Sequence, residues 1–522
     1  MSSDSSPVSA AAPLNRPMIT ISIMLATLIQ TLDSTIANVA LPYMQGSLSA
    51  TLDQITWVLT SYIVAAAIMT APVGWLAARF GRKNLFVLCL AGFTGASMLC
   101  GVAQSLPQMV AFRLLQGMFG AALVPLSQAV MLDIYPPEQR GSAMAIWGVG
   151  VMVGPILGPT LGGYLTDVYN WRWVFFINLP FGILAITGLA LFMPKAPTNP
   201  GLNFDWTGFG ALALGIGSFQ LMLDRGQDKD WFSSGEIVVE AVLAGLGVYL
   251  FLVHLLLAKK PFIPPRIFKD RNFSASVVMM FAVGVVLIAT SSLLAPWLQN
   301  LGNYPVATAG LVMAPRGIGT MVSMMISGRL AARVDPRLLM ALGVLMLLWS
   351  LYAATGWTPD IGAKQLILTL MVQGAALGFV FIPLQVVAFA TLPPAMRTDG
   401  ASLLSLFRNV GSAIGVSITS SQLAHNIQVV HSELGAFVNP FNRALQGGGT
   451  VSRILDPRTY AGARVLDGMI NTQAQIISYI DDYKLMIWTT LPTLLLLVIM
   501  RRPGAPKVAA GAEAEASHAV LD

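Results

Sequence analysis

Long apolar runs recur along this chain, separated by short polar turns. About 20 consecutive apolar residues, rising 1.5 Å each, cross the ~30 Å hydrocarbon layer of a bilayer. Fourteen runs reach that length: residues 18–42, 55–78, 85–104, 107–131, 142–166, 172–193, 206–224, 236–258, 272–299, 306–331, 338–356, 364–391, 399–424 and 483–500. Lipid offers the backbone no hydrogen bonds, so each run is expected to be a helix. The predicted fold is an all-α, multi-pass membrane protein with helices numbered 1 to 14. Residues 425–482 are left as a long outer loop, within which Val465, Met469, Ile476 and Ile480 keep a helical spacing that Gly468 interrupts. A loop of that length is often functional or disordered. It is a candidate cover for the outer opening or contact for a partner.

The pattern repeats. GWLAARFGRK (74–83) returns as GRLAARVDPR (328–337), QGMFGAALVPL (116–126) as QGAALGFVFIPL (373–384), and LPYMQ (41–45) as APWLQ (295–299). Three echoes in the same order predict two related six-helix bundles, helices 1–6 and 9–14, with helices 7–8 inserted. Parallel six-helix repeats fit the major-facilitator architecture, whose binding site lies between the halves near mid-membrane. The expected divisions are a tail (1–17), a first bundle (18–195), an inserted pair with linker (196–271), a second bundle with the loop 425–482 (272–500), and a tail (501–522).

Composition agrees with this reading. Of 522 residues, 55% are hydrophobic and 10% charged, against about 25% charged in soluble domains. The net charge of +6 calls for no nucleic-acid partner, because basic residues fall where membrane topology places them. With both termini inside, cytoplasmic segments hold 18 of the 30 Lys and Arg, and nine fall outside. This bias sets orientation. The first run is too long for a signal-peptide core and is expected to be retained. Cys89 and Cys100 lie ~16 Å apart on one helix, beyond disulfide reach. There is no metal-ligand spacing and no GxxxxGK[ST] nucleotide loop. No cofactor is expected.

Three arginines lie inside spans: Arg113, Arg316 and Arg408. A charge at the bilayer centre costs about 2.5–3.5 kcal/mol on insertion scales and normally marks a pathway or a pairing. Helix 1 supplies a carboxylate, Asp33. Helix geometry puts Asp33 ~14 Å and Arg113 ~9 Å from the outer side, depths compatible with contact. On helix 1, Thr27, Gln30, Thr31, Ser34 and Asn38 share ~100° of surface, with Asp33 ~60° beyond its edge. Gln30, Ser34, Asn38, Gln116, Arg316 and Arg408 are candidates to line a substrate cavity. A protonation role for Asp33, tuned by Arg113, is the favoured reading. The repeat puts Leu287 where Asp33 would recur and Leu370 where Arg113 would.

Two motifs remain. The loop 74–83 carries Gly74, Arg79, Gly81, Arg82 and Lys83, suited to close helix approach and to anchoring at an inner face. Helix 5 places Gly150, Gly154, Gly158 and Gly162 at four-residue intervals, followed by Gly163, with Pro155 and Pro159 between. Such a ridge admits another helix closely.

The loop resembles the signature of the major facilitator superfamily, with Ala78 where that signature has an acid. A salt bridge needing that carboxylate is therefore not expected. Helix 5 resembles the antiporter signature of proton-coupled exporters. QTLDSTIANVALP (30–42) resembles the first-helix signature of fourteen-helix drug:proton antiporters. NWRWVFFINLPFGI, FDWTGFGALALG, LDRGQDKDWF, AGLVMAPRGIG and FRNVGSAIG extend the likeness along most of the chain. The chain is identified as a member of the EmrB/QacA family. The resemblance implies proton-coupled efflux of amphipathic or toxic compounds by alternating access in a bacterial cytoplasmic (inner) membrane. The proton gradient would be its energy source. It also allows pairing with a periplasmic membrane-fusion adaptor and an outer-membrane channel, as in Gram-negative relatives. The alternative is a major-facilitator exporter or importer of a specific metabolite. A lipid-modifying membrane enzyme would need a clustered nucleophile, metal ligands or a carboxylate pair at a membrane face, and none is found.

Overall fold

The apolar runs fold as helices throughout the computed structural model, which describes residues 15–195, 198–259, 261–331, 333–439 and 455–501. Among the described residues, thirteen helices are long and apolar enough to cross a membrane, and a pair bent by 60° makes a fourteenth. They are helix 1 (Arg16–Ser47), helix 2 (Trp57–Thr70 with Val73–Phe80), helix 3 (Arg82–Val102), helix 4 (Leu106–Ile134), helix 5 (Arg140–Val168), helix 6 (Trp173–Phe192) and helix 7 (Trp206–Arg225). Then follow helix 8 (Gly235–Leu257), helix 9 (Arg271–Leu301), helix 10 (Val306–Leu330), helix 11 (Pro336–Ala354), helix 12 (Ala363–Ala390), helix 13 (Arg397–Gly435) and helix 14 (Tyr460–Ile499).

Local chemistry explains the bends and ends. Helix 2 breaks ahead of Pro72 and Val73, where proline cannot donate to the preceding turn. Asp205 caps helix 7 by accepting from Gly208 N at 2.9 Å, and Asp270 caps helix 9 by accepting from Phe273 N at 2.8 Å. Asp205 also meets His254 Nε2 at 2.8 Å, tying helix 7 to helix 8.

The outer loop is corrected. Helix 13 runs on to Gly435 and the next helix starts at Tyr460. Most of 425–482 is therefore two helical extensions, not loop. Gly468 lies inside the continuous helix Tyr460–Thr490. Glycine costs only about 1 kcal/mol in a helix, which the neighbouring residues absorb. The segment NPFNRALQGGGT falls almost wholly outside the described residues.

Packing follows the repeat. Helix 1 lies on 5 as 9 lies on 13, 2 on 4 as 10 on 12, and 3 on 6 as 11 on 14. Helix 7 packs on 8, and the pair reaches helices 2 and 13. The halves meet chiefly where helix 5 lies against helix 10.

Helix 5 is pressed between helices 1 and 10. A Cβ at Gly154 would stand 2.7 Å from the backbone N of Leu32. Gly158 abuts Thr35, and a Cβ at Gly162 would stand 2.9 Å from Ile36. On the other face, Gly141 approaches the carbonyl of Gly328, and Gly148 approaches Met324. Gly150 touches Met24, while Gly163 faces open space. Pro155 is exposed, and the side chain of Pro159 lies outside the description. Gly154→Val is expected to separate helices 1 and 5 and to cost about 1–3 kcal/mol or more, because the obstructing atoms are the Thr31 hydroxyl and the backbone of Thr31 and Leu32. Its denaturation midpoint in detergent measures this, and a midpoint equal to wild type would refute the close packing.

Candidate functional site

Five helices of the first bundle converge on Asp33. Its Oδ2 accepts from Arg113 Nη1 at 2.7 Å, and its Oδ1 from Gln116 Nε2 at 2.8 Å and Asn178 Nδ2 at 3.1 Å. Arg113 Nη1 also donates to Gln116 Oε1 at 2.8 Å, and its Nε donates to the carbonyl of Val58 at 3.0 Å. The bond from Arg113 Nη1 to Gln116 Oε1 fixes the Gln116 amide with its NH₂ toward the carboxylate. The guanidinium lies over the Tyr62 ring, 4.3 Å from its centroid, and 5.7 Å from that of Phe175. Behind Asn178, its Nδ2 donates to Ser97 Oγ at 3.0 Å, which donates to the carbonyl of Phe175 at 2.9 Å.

Asp33 is 0% and Arg113 1% exposed. An isolated charge this deep would be untenable. Here each is matched by the other and by further donors or acceptors, which is what lets a buried pair persist. Every group bonded to Asp33 is a donor. The site is built for the ionised carboxylate.

The two halves of the sequence expectation separate here. Asp33 and Arg113 do meet. Their pair lies inside the first bundle. The polar stripe of helix 1 is split as well. Ser34 and Asn38 are exposed, Gln30 is half-buried with Nε2 donating to Tyr62 Oη at 3.3 Å, and Asp33 points the other way into the bundle. Thr31 is buried against helix 5. Gln116 belongs to the Asp33 site instead of a cavity wall.

Arg316 and Arg408 are elsewhere, in the second bundle. Arg316 donates to Ser291 Oγ at 2.9 Å, Thr290 Oγ1 at 2.8 Å and the carbonyl of Leu287 at 3.2 Å, all neutral acceptors on helix 9. Arg408 is half-buried, and its Nη2 donates to Asn409 Oδ1 at 3.4 Å. The repeat explains Arg316. Gly117 packs on the carbonyl of Tyr62, and Gly374 packs on the carbonyl of Arg316. The second bundle thus carries its cation on helix 10, where the first has the tyrosine that covers Arg113.

The loop 74–83 forms a second cluster at the face bearing the N-terminal end of helix 1. Gly81 has φ 82°, a left-handed conformation suited to glycine, and turns the chain into helix 3. Arg82 ion-pairs with Asp133 of helix 4 and donates to the carbonyl of Pro394 at 3.1 Å. Arg397 of helix 13 reaches the same Asp133 at 2.7 Å. Gly74 leaves room for the carboxylate of Asp399, which a Cβ there would overlap. Arg79 holds the carbonyls of Leu202, at 2.6 Å, and Pro200, and Lys83 is half-buried. One carboxylate therefore receives an arginine from each half. Ala78 leaves the usual acid missing, and a carboxylate from the opposite half, Asp399, stands beside the loop.

Sequence reasoning missed Asn178, Ser97, Tyr62, Asp133, Arg397 and Asp399. A single amide in the apolar run WVFFINLPFGI was the available signal for Asn178.

Comparisons with known proteins place these features. The sequence profile of the Major Facilitator Superfamily matches residues 23–416. The chain is 37% identical over 467 residues to Multidrug export protein EmrB of Escherichia coli (strain K12), covering 89% of this chain and 88% of that one. It is 36% identical over 429 residues to Fatty acid resistance protein FarB of Neisseria gonorrhoeae, covering 82% and 84%. The crystal structure of the human organic anion transporter MFSD10 is similar with a TM-score of 0.56 at 16% identity, over 91% of this chain and 99% of that one, which speaks for the fold alone.

Proposed function

The chain belongs to the Major Facilitator Superfamily, among its EmrB/QacA-type drug transporters, and from that premise we propose that it exports amphipathic or toxic small molecules, drugs included, in exchange for protons. The membrane is the bacterial inner membrane, both termini are cytoplasmic, and the halves alternate access. The family relation supports the export of drugs. One observation carries the proton reading: Asp33, buried and held by three donors, within the bundle that also bears the helix 5 ridge.

The chemistry follows from the hydrogen bonds. Protonating Asp33 removes the charge that Arg113 matches and gives the carboxyl an O–H that needs an acceptor. Asn178 Oδ1 is buried without a partner among the described residues. Rotating that amide exchanges its NH₂ for its oxygen at Asp33 and supplies the acceptor. Arg113 is then left to Gln116, the Val58 carbonyl and the Tyr62 face. Helices 1, 2, 4 and 6 all hold a bond of this network, so its proton state biases how they pack. Alternating access requires such a two-state element.

The clustered ends at Asp133 support a conformation closed toward the cytoplasm, with Arg82 and Arg397 drawn to one carboxylate. An adaptor and an outer-membrane channel remain compatible with the helical extensions of 425–482.

Reconstituted protein tests the function. Export of ethidium or anilinonaphthalene sulfonate from proteoliposomes is expected to accelerate when a pH gradient, acid on the receiving side, is imposed. Export of both dyes indifferent to the gradient would overturn proton exchange.

A further inference from the structure

The core of the second bundle contains a carboxylate of its own, Asp482 of helix 14, as buried as Asp33 but unmatched by donors among the described residues. Asp482 is 0% exposed. Neither of its carboxylate oxygens has a hydrogen-bond partner among the described residues. Its surroundings are the outer core of the second bundle, where Tyr479, Tyr483 and Met486 of the same helix pack with Trp297, Trp357, Leu351 and their neighbours. Tyr483 sits edge-on to Trp357, with centroids 5.7 Å apart. Among the described residues no donor reaches either oxygen.

Among the described residues no cation pairs with Asp482 either. Helices 9, 11 and 13 pack against helix 14. The charged groups nearby are Asp481, which Lys484 holds at 3.0 Å on the exposed side of the helix, and Arg316 of helix 10, which acts on Tyr483 and is bonded to helix 9. Tyr479 and Tyr483 are the other titratable groups within reach. An ionised carboxylate in this position would carry an uncompensated desolvation cost. Holding a proton would remove that cost.

We propose that Asp482 is a second proton-carrying group of the transport cycle, loaded in this conformation while Asp33 is ionised. The two bundles are then complementary. In the first, the cation sits on helix 4, the carboxylate on helix 1, and Asn178 of the last helix donates to that carboxylate. In the second, the cation sits on helix 10 with neutral acceptors only, and the last helix carries the carboxylate. Among the described residues each bundle therefore keeps one fully buried carboxylate, Asp33 matched by donors and Asp482 unmatched. When the halves rearrange, Asp482 gains a donor or water and releases its proton. The role in transport rests on the proton-exchange reading above, whereas the proton on Asp482 does not.

Infrared difference spectroscopy of wild type against Asp482→Asn at neutral pH decides the protonation. The variant copies the neutral side chain and should fold as wild type does. The expected result is loss of a protonated carboxylic-acid C=O band from the wild-type spectrum. Loss of a carboxylate stretch in its place would overturn the proposal. Proteoliposome export of ethidium then decides the coupling. Asp482→Asn is expected to move fewer protons per dye molecule, and a wild-type ratio would overturn its role. If wild type itself ignores the gradient, proton exchange fails together with that role, and the infrared band still decides whether Asp482 holds a proton.

Discussion

Asp33→Asn is expected to abolish gradient-driven export and to leave the protein folded. Asparagine keeps the size of the side chain and an oxygen to accept from Arg113, but it cannot take or release a proton. The charge-assisted bond to Arg113 is lost, and such bonds contribute about 1.5–3 kcal/mol. The same chain shows that its fold accepts that loss. Arg316, also buried though less completely, is held in the second bundle by two hydroxyls and one carbonyl, with no carboxylate among them. The variant should therefore express, resist denaturation nearly as wild type does, and still let dye run down its own gradient. Its export should fall to that of protein-free vesicles when only the pH gradient drives it. Persistent acceleration by the gradient would show that coupling does not require Asp33.

How far the sequence led differs by level. Helix number and position follow from length and apolarity, because a backbone in lipid has one economical solution. The exception is 425–482, where charged and polar residues cover helices that extend past the apolar run. Asp482 was hidden for the same reason: Asp481, Asp482 and Lys484 together look like a solvated surface. The meeting of Asp33 and Arg113 was legible as two charges at matching depth. Which side of helix 1 faces its bundle was not. Periodicity ranks residues around one helix, and only its neighbours decide which arc is inside. Ser34 and Asn38 proved exposed for that reason, with Asp33 turned away from them. The contacts made by Asn178 and Asp399 join helices far apart in sequence. No local pattern announces them.

Arg113→Leu, which copies Leu370 of the second bundle, is expected to be more damaging to the fold than Asp33→Asn. It leaves the carboxylate of Asp33 in the core with two amide donors and no positive charge. Removing one partner of a buried pair typically costs about 3–5 kcal/mol, because the other is left uncompensated. Protonation of Asp33 can recover part of this, so the loss should be smaller at acid pH than at neutral pH. The double variant Asp33→Leu with Arg113→Leu removes both charges at once, as Leu287 and Leu370 do in the other bundle, where Leu370 lies within the apolar core. Well-packed apolar residues often replace a buried ion pair without loss. The double variant should therefore be more stable than Arg113→Leu alone, a non-additivity that denaturation in detergent can measure directly. It should also be inactive in gradient-driven export. Together these outcomes assign the pair to transport instead of stability. A double variant no more stable than the single one would mean that the arginine supports the fold through Val58, Tyr62 and Gln116, independently of Asp33.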